Sequence, residues 1–465
     1  MRYIFTVLVT ITFILRTGAQ TVTIYGTVKN IETNEPLHYC TVSLLNRGVT
    51  TATDGNGKFR IAVPVQPTAS VLIVSYTGYR TDTLHIAGAG REFMVLLKPL
   101  TGALNEVVIT GVSRATLIRE NPVAISNVSS KNIDIAIEPN IVDALVKNVP
   151  GLNAVKTGPN ISKPFIRGLG YNRVLTLYDG IRQEGQQWGD EHGIEIDEYN
   201  VTKAEILKGP ASLMYGSDAL AGVMNIISIL PVGEGTVKGN VFGIYQSNNK
   251  QRGLHADIGG NKNGFIWGAY GSYKAAADYK NKYDGYVFNS KFNEKDFGGY
   301  IGLNKQWGFS HLYISQFDQH LGLVEGDRDA SGAFTKITGK DVNGNNITAP
   351  ADSDDFTSTD PLIPSQRIQH FKLATDNSFN IGRDRLTVTL GYQRNQRQEF
   401  GNIEDPAEKE LYFDLNTFNY NLQYHFAEKN NWKTTIGING MQQSNKNKGV
   451  EALIPEYSLF DISSL

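Results

Sequence analysis

The sequence predicts a mainly β, exported protein: a small N-terminal β-sandwich, a mixed α+β segment, and a run of long antiparallel strands with the texture of a transmembrane β-barrel. Three observations predict it. Glycine is raised to 47 of 465 residues, with 22 Tyr and 21 Phe but only 4 Trp and 19% charged residues, a balance that suits strands and turns rather than helical bundles. The chain opens on an apolar leader. From about residue 236 onward, segments of alternating polarity follow one another, joined alternately by short turns and long polar loops.

Composition removes several function classes. Lys plus Arg is 44 against 46 Asp plus Glu, a formal charge of −2, so no basic groove for nucleic acid is expected. The one cysteine, Cys40, rules out a disulfide framework and a four-cysteine zinc site. At this length more than one domain is expected.

The elements follow in chain order. Arg2, the apolar run at 4–15 and the small residues Thr17, Gly18 and Ala19 read as a secretory signal peptide over 1–19. The run is too short for a spanning helix, and no other stretch could span as one. Residues 21–98 hold five short alternating β-rich runs separated by turn clusters at 32–36 and 53–57, which predicts a small sandwich. Asp54, Gly55, Asn56 and Gly57 suit a hairpin turn better than a calcium loop, because the further carboxylates of an EF-hand are missing. Residues 99–120 are a connector with one apolar island, LNEVVITG at 104–111.

Residues 120–232 mix short helices and strands. The spacing of Ile141, Val142, Leu145, Val146 and Val149 predicts a helix stopped by Pro150-Gly151. Strands are expected at 174–181 and 221–228, and a strand, a Gly-Pro break and a short helix over 204–216. From 236 to 465 the alternating segments supply about eight or nine strands of a transmembrane barrel wall, lipid-facing on one side and wet on the other. A soluble sandwich or propeller is the rival reading of the same texture.

Ordered motifs then narrow the class. LNEVVITG at 104–111, FIRG at 165–168, LYDG at 177–180 and the stretch from Glu205 through Lys208, Gly209 and Pro210 to Ser228 resemble the TonB-dependent outer-membrane receptors of Gram-negative bacteria. Residues 21–98 resemble the carboxypeptidase-regulatory-like sandwich that some members carry, a name that implies a fold and no peptidase activity. The resemblance implies a plug domain over 120–232 inside a barrel whose first part is 236–465. It implies a TonB box at Glu106, Val107, Val108, Ile109 and Thr110, a mobile strand that a TonB-type periplasmic partner grips by strand addition. It also implies plug–barrel contacts at Arg167, Glu205 and Lys208. The implied activity is energised import of a scarce ligand across the outer membrane: a metal ion, siderophore or other metal chelate. The implied partners are outer-membrane lipid, the periplasmic energy transducer and a small ligand. The N-terminal domains would lie in the periplasm or lumen.

The ligand itself is weakly marked. The loop after Asp179-Gly180 holds Asp190, Glu191, His192, Glu195 and Asp197, one imidazole among carboxylates, which suits zinc or another divalent cation as cargo. It resembles the Gly-Asp-His loop of zinc-importing members but departs from it, since Glu191 separates Asp190 from His192. A polar loop whose acids cap turns or pair with Arg173 or Arg182 stays open. His320 and the acids Glu325, Asp327 and Asp329 are outer-loop candidates to complete a site. No resident cofactor is expected. Glycan or peptide import by the same architecture is the alternative, disfavoured for glycans by Gly209-Pro210 where glycan importers usually read Asp-Ala; a passive pore or adhesin is the other. No hydrolase elbow, HExxH or phosphate loop is present, so no enzyme is expected. Finally, a plugged barrel of ~22 strands needs far more wall than eight or nine strands give. The arithmetic and the non-aromatic last residue predict a chain that stops within the barrel, with open sheet edges.

Overall fold

The computed structural model describes residues 21–464 except 32–33, 38–39, 46–48, 65–69, 77–78, 80, 87–91, 99–106, 109–115, 118–124, 186–192, 210–216, 229–231, 233 and 431. The signal peptide expected over 1–19 lies outside the described residues. The chain divides into two compact units, one holding the sandwich and the other everything from about residue 120 onward.

The first unit is a seven-stranded sandwich. Strands β1 (Thr21–Asn30), β2 (Thr41–Leu44), β3 (Thr50–Ala52), β4 (Lys58–Pro64), β5 (Ser70–Ser75), β6 (Asp82–Ile86) and β7 (Glu92–Leu97) form two sheets, ordered β4-β1-β7 and β3-β2-β5-β6. Alternation places Ile24, Val28, Phe59 and Ile61 of one sheet with Val42, Leu44, Leu72 and Val74 of the other in a shared core, where Cys40 is also buried. The 53–57 turn is not the hairpin expected from the sequence, because β3 and β4 belong to different sheets. Asp54 closes it by accepting from the amides of Asn56 and Lys58 at 2.9 and 2.8 Å, and Gly57 supplies a φ of 71°. Next come two two-residue strands, β8 (Val107–Val108) and β9 (Thr116–Leu117). The rest of the expected 106–110 handle lies outside the described residues.

The second unit begins with a central segment. It comprises β10 (Ile125–Ser129), α1 (Ser130–Ala136), α2 (Ile141–Asn148), β11 (Leu152–Gly158), β12 (Ile161–Ile166), β13 (Leu169–Gly170), β14 (Val174–Tyr178), β15 (Ile181–Arg182), β16 (Lys203–Lys208) and β17 (Gly222–Ile227). A five-stranded sheet runs β10-β16-β17-β14-β15, with only β14 and β17 parallel, and β11-β12-β13 form a separate hairpin sheet. The predicted helix is α2. Asn140 caps it by accepting from the Asp143 amide at 3.0 Å, Asp143 lies in its first turn and Lys147 in its last. Its apolar stripe packs Ile141, Leu145 and Val149 against Leu152, Ile166, Ile206 and Met224.

The wall is one ten-stranded antiparallel sheet. Its strands, in spatial and nearly sequential order, are β18 (Thr236–Gln246), β19 (Gln251–Lys262), β20 (Phe265–Ala276), β23 (Phe292–Lys305), β24 (Gly308–Gly322), β27 (Ser365–Ile381), β28 (Asp384–Phe400), β29 (Leu411–His425), β30 (Thr435–Asn447) and β31 (Tyr457–Ser464). Neighbours pair antiparallel, so the connections alternate between two ends. One end has the turns at 263–264, 306–307, 382–383 and 426–434. The other has a short turn at 247–250 and the longer loops 277–291, 323–364, 401–410 and 448–456. Two of those loops carry their own structure: β21 (Lys280–Asn281) with β22 (Gly285–Tyr286), then β25 (Thr335–Lys340) with β26 (Asn346–Pro350) and α3 (Ser353–Thr357). Val287, Phe288 and Phe334 bury a small core that joins them.

The ten strands exceed the eight or nine expected; β19 and β31 are the additions. Among the described residues, β18 and β31 are each paired on one side only. No described helix is long and apolar enough to cross a membrane.

The faces of the wall invert the usual arrangement. Large apolar side chains are exposed on one face: Val241 (75%), Phe297 (60%), Leu254, Ile301, Ile314 and Ile438. Polar ones are buried on the other: Lys274, Glu294, His370, Gln393, Asn395 and Gln443. That is the pattern of a sheet with lipid on its outer face and a polar interior. Close approach of central segment and wall also uses glycine. A Cβ at Gly253 of β19 would lie 2.2 Å from the Tyr199 hydroxyl. Gly253→Val is therefore expected to push Tyr199 off the wall and cost about 1–3 kcal/mol, read as a lowered thermal-unfolding midpoint of the full chain in detergent; an unchanged midpoint would show that the ring is not seated there.

Candidate functional site

The site grows from one short stretch of the central segment. After β15 the chain returns through Ile194 and Ile196, both buried, and enters a 3-10 helix, Glu198–Asn200. Asp197 caps that turn, its Oδ1 accepting from the Tyr199 amide at 3.0 Å. Capping fixes the directions of Asp197, Glu198 and Tyr199, and all three side chains meet the wall. Asp197 Oδ2 accepts from the Ser272 hydroxyl at 2.5 Å. Glu198 Oε2 accepts from the Lys274 ammonium at 2.6 Å. The Tyr199 ring packs edge-on against Phe242 and lies beneath Lys274, 5.3 Å from its Nζ. Lys274 also reaches Glu294 Oε1 of the next strand at 2.6 Å and the Pro139 carbonyl at 3.1 Å. Glu294 Oε2 in turn accepts from Asn160 of the β11–β12 tip at 2.9 Å and from Gln319 at 2.8 Å.

Two further contacts repeat the theme. Asp179, at a φ of 55°, accepts from the Ser228 amide at 2.8 Å and faces the Lys372 ammonium at 3.2 Å. Lys372 also donates to the Tyr178 carbonyl and lies over that ring. Farther along, Gln183 and Asn395 both lie 3.1 Å from His370 Nδ1, and Gln443 donates to Glu184 Oε2 at 2.9 Å. Cations on the wall thus meet anions on the segment at Lys274–Glu198 and Lys372–Asp179, the first pair closed from water and the second part-buried.

Burial dominates the titration of this cluster. Glu198 is pushed up to about 8: burial raises it, Lys274 offsets part of that, and Glu294 and Asp197 raise it again. Asp197 is raised as well, by burial first.

The sequence-named residues separate. Asp190, Glu191 and His192 lie outside the described residues. Glu195 and Asp197 are buried against the wall and do not form an outward loop site. His320 is half-buried on β24, 3.2 Å from the Ser365 hydroxyl, and Asp329 closes its own turn through the amides of Ser331 and Ala333. The plug–wall contacts expected of Arg167, Glu205 and Lys208 are not seen among the described residues, where each has a neighbour within the segment or faces out. Glu205 pairs with Lys203 at 2.8 Å, Lys208 donates to the Pro150 carbonyl at 2.5 Å, and Arg167 is exposed in a left-handed turn. Lys208 is lowered by burial and by the neighbouring Arg167. Among the described residues, charges of the segment that meet the wall include Asp179, Glu184, Glu195, Asp197 and Glu198. Sequence reasoning passed over Glu198, Lys274, Glu294 and Lys372; for Lys274 the signal was a lone Lys on the polar face of an otherwise small or aromatic strand.

At the long-loop end, a cleft of about 480 Å³ opens between segment and wall. Glu138, Asp143 and residues 156–159 line one side, and Gln246, Asn248, Asn249, Gln251 and Tyr279 the other. Lys156 spans it to Asp143 at 2.8 Å.

A globule carried on the polar inner face of an antiparallel wall is a distinctive arrangement, and comparison with known families decides what it is. Residues 118–223 match the TonB-dependent Receptor Plug Domain family, and residues 24–109 match the CarboxypepD_reg-like domain family. The central segment is a TonB-dependent receptor plug domain, and the first unit is a CarboxypepD_reg-like domain. The chain is similar to the iron-regulated outer membrane virulence protein of Vibrio cholerae, 36% identical over 129 residues, 26% of this chain and 20% of that protein. A vitamin B12 transporter of Photobacterium profundum is 26% identical over 238 residues, 49% of this chain and 39% of the transporter. Among solved structures, the siderophore receptor PirA of Acinetobacter baumannii shares the fold with a TM-score of 0.54 at 16% identity, over 70% of this chain and 48% of the receptor. The chain thus spans less than half the length of the relatives it matches. These relatives are receptors and transporters, in line with a plug and wall that break no bonds.

Lys274 is the centre of plug seating on the wall. Lys274→Met leaves Glu198 and Glu294 buried without their cation and is expected to cost about 3–5 kcal/mol, seen as a lower unfolding midpoint and faster proteolysis of the plug. The pH trend has a definite sign. An acid whose folded value, about 8, exceeds its ordinary 4.5 stabilises the fold fully at low pH and loses that contribution as pH rises through the folded value. Stability should fall between roughly pH 5 and 9, and Glu198→Gln should flatten the slope; an equal slope in both proteins would assign the trend elsewhere.

Proposed function

We propose that this chain binds and admits a scarce metal chelate at the outer membrane, with import driven from the periplasm by a TonB-type partner. The observation that carries the reading is the plug seated on the polar face of the wall through buried ion pairs, Lys274 with Glu198 and Lys372 with Asp179. Such a seat closes the route and can be released without breaking covalent bonds. The cleft at the long-loop end supports a ligand of chelate size, since small-molecule sites commonly run from roughly 300 to 1,000 Å³. The names of two relatives, a vitamin B12 transporter and a siderophore receptor, point the same way. The loop with Asp190, Glu191 and His192 follows β15 and remains a proposed metal contact, as zinc or another cation would be cargo and not a resident cofactor. Glu106, Val107, Val108, Ile109 and Thr110 are the proposed grip, a β-branched run suited to adding an edge strand to a partner's sheet.

A second reading has one observation in its favour. Gln246, Asn248, Asn249, Gln251 and Tyr279 on one side of the cleft are neutral amides and an aromatic ring, groups that suit the hydroxyls and faces of a glycan.

Deleting residues 104–111 from the complete receptor is expected to abolish accumulation of ligand in cells while leaving surface binding intact; uptake that persists removes the energised reading. Calorimetric titration with zinc, haem, ferric chelates and oligosaccharides separates the ligand classes. A zinc response lost on His192→Ala supports the loop as a metal contact. Heat from oligosaccharides alone, lost on Tyr279→Ala, transfers the site to glycans.

A further inference from the structure

Beside the Lys274 contact is a small void of about 10 Å³ between plug and wall, room for roughly one water or one small ion. Glu195 and Asp197 of the plug line it, with Tyr178 above and Asp296, Tyr270 and Lys372 of the wall opposite. Asp296 is 3% exposed, and among the described residues no amide, hydroxyl or ammonium donates to either of its carboxylate oxygens, its close polar neighbour being the Glu294 carboxyl. A carboxylate closed off from water without a donor is costly, and its charged neighbours do not relieve it. Glu294 and Asp197 are acids. Lys274 is engaged by Glu198 and Glu294, and Lys372 by Asp179. Glu198 Oε1 is likewise without a hydrogen bond. Four carboxylates, Asp197, Glu198, Glu294 and Asp296, thus surround one ammonium. Oxygens of Asp197, Glu198 and Glu294 lie within 4.8 Å of one another, close enough to share an ion.

The donors are all oxygens, with no thiolate, and His370 at the margin is already bonded by Gln183, Asn395 and Gln393. That chemistry selects a hard cation and disfavours zinc. We propose that a calcium-class cation binds in the seam between plug and wall, bridging Asp197 of the plug and Asp296 of the wall, with Glu198 and Glu294 supplying the rest of the negative charge. It fastens the plug and is separate from any imported ligand, which meets the receptor at the outer cleft. The position of the ion explains why so many acids converge where one lysine cannot neutralise them.

The full chain in detergent, freed of metal with EDTA, tests this with calcium chloride and with terbium as a luminescent substitute. Calcium is expected to raise the unfolding midpoint by about 3–5 °C, and terbium to show emission sensitised by Tyr178 and Tyr270, which line the void. Asp296→Asn should abolish both effects, while Asp329→Asn and Asp341→Asn in the outer loop should keep them. Absence of any calcium response, or a response that survives Asp296→Asn and disappears in the loop variants, overturns the proposal. Should Asp296→Asn fail to fold, the Tyr178→Phe, Tyr270→Phe double variant decides: dimmed terbium emission with calcium stabilisation retained supports the seam, and undiminished emission places the ion elsewhere and overturns it.

Discussion

A strand in hydrocarbon must satisfy its backbone within the sheet, and only its side chains can answer to lipid on one side and water on the other. Everything else in the second unit follows from that constraint. It puts Val241, Leu254, Phe297 and Ile314 on the outer face and drives the polar residues of the same strands inward. The inner face is then too polar to form an apolar core with anything. What covers it has to offer matched hydrogen bonds and charges, and the plug does so residue by residue, with Ser272 to Asp197, Gln443 to Glu184 and Lys372 to Asp179.

An interface built this way differs from a packed core in how it comes apart. An apolar contact loses free energy gradually with area. A buried ion pair is held strongly while both partners are present and leaves an expensive lone charge when one is removed. The plug's own stability is separate: Ile141, Leu145, Ile206 and Met224 form an apolar core that does not involve the wall. The plug can therefore stay folded while its seat is loosened, which is what a movable closure needs.

Much of this was legible in the sequence because periodicity survives burial. The 141–149 stripe gave α2, the signatures around Tyr178-Asp179 and Glu205–Ser228 located the plug strands, and eight wall strands showed through their alternation. β19 escaped because Gly253, Gly259 and Gly260 dilute its pattern, and Gly253 is there to admit the Tyr199 ring. β31 escaped because Leu459 and Phe460 stand side by side and break the alternation of Tyr457 through Ser464. The acids at 195–197 were visible as a cluster, but not their direction: a capped 3-10 turn aims them at the wall, and no local pattern announces which wall strand supplies the lysine. Lys274 and Glu294 lie about twenty residues apart in sequence and adjacent in the sheet, so only strand pairing brings them together.

The outward cleft and the buried seat are also connected. Residues 156–159 of the β11–β12 tip line the cleft, and Asn160, next in the chain, donates to the Glu294 carboxylate that holds Lys274. Asp143 ties the same hairpin to α2 through Lys156 and Ser162. The tip that lines the cleft is thus joined to the buried seat by consecutive contacts, Asn160 to Glu294, Glu294 to Lys274 and Lys274 to Glu198. A network of charged groups closed off from water is sensitive to the loss of any one donor, because each remaining group keeps its desolvation cost.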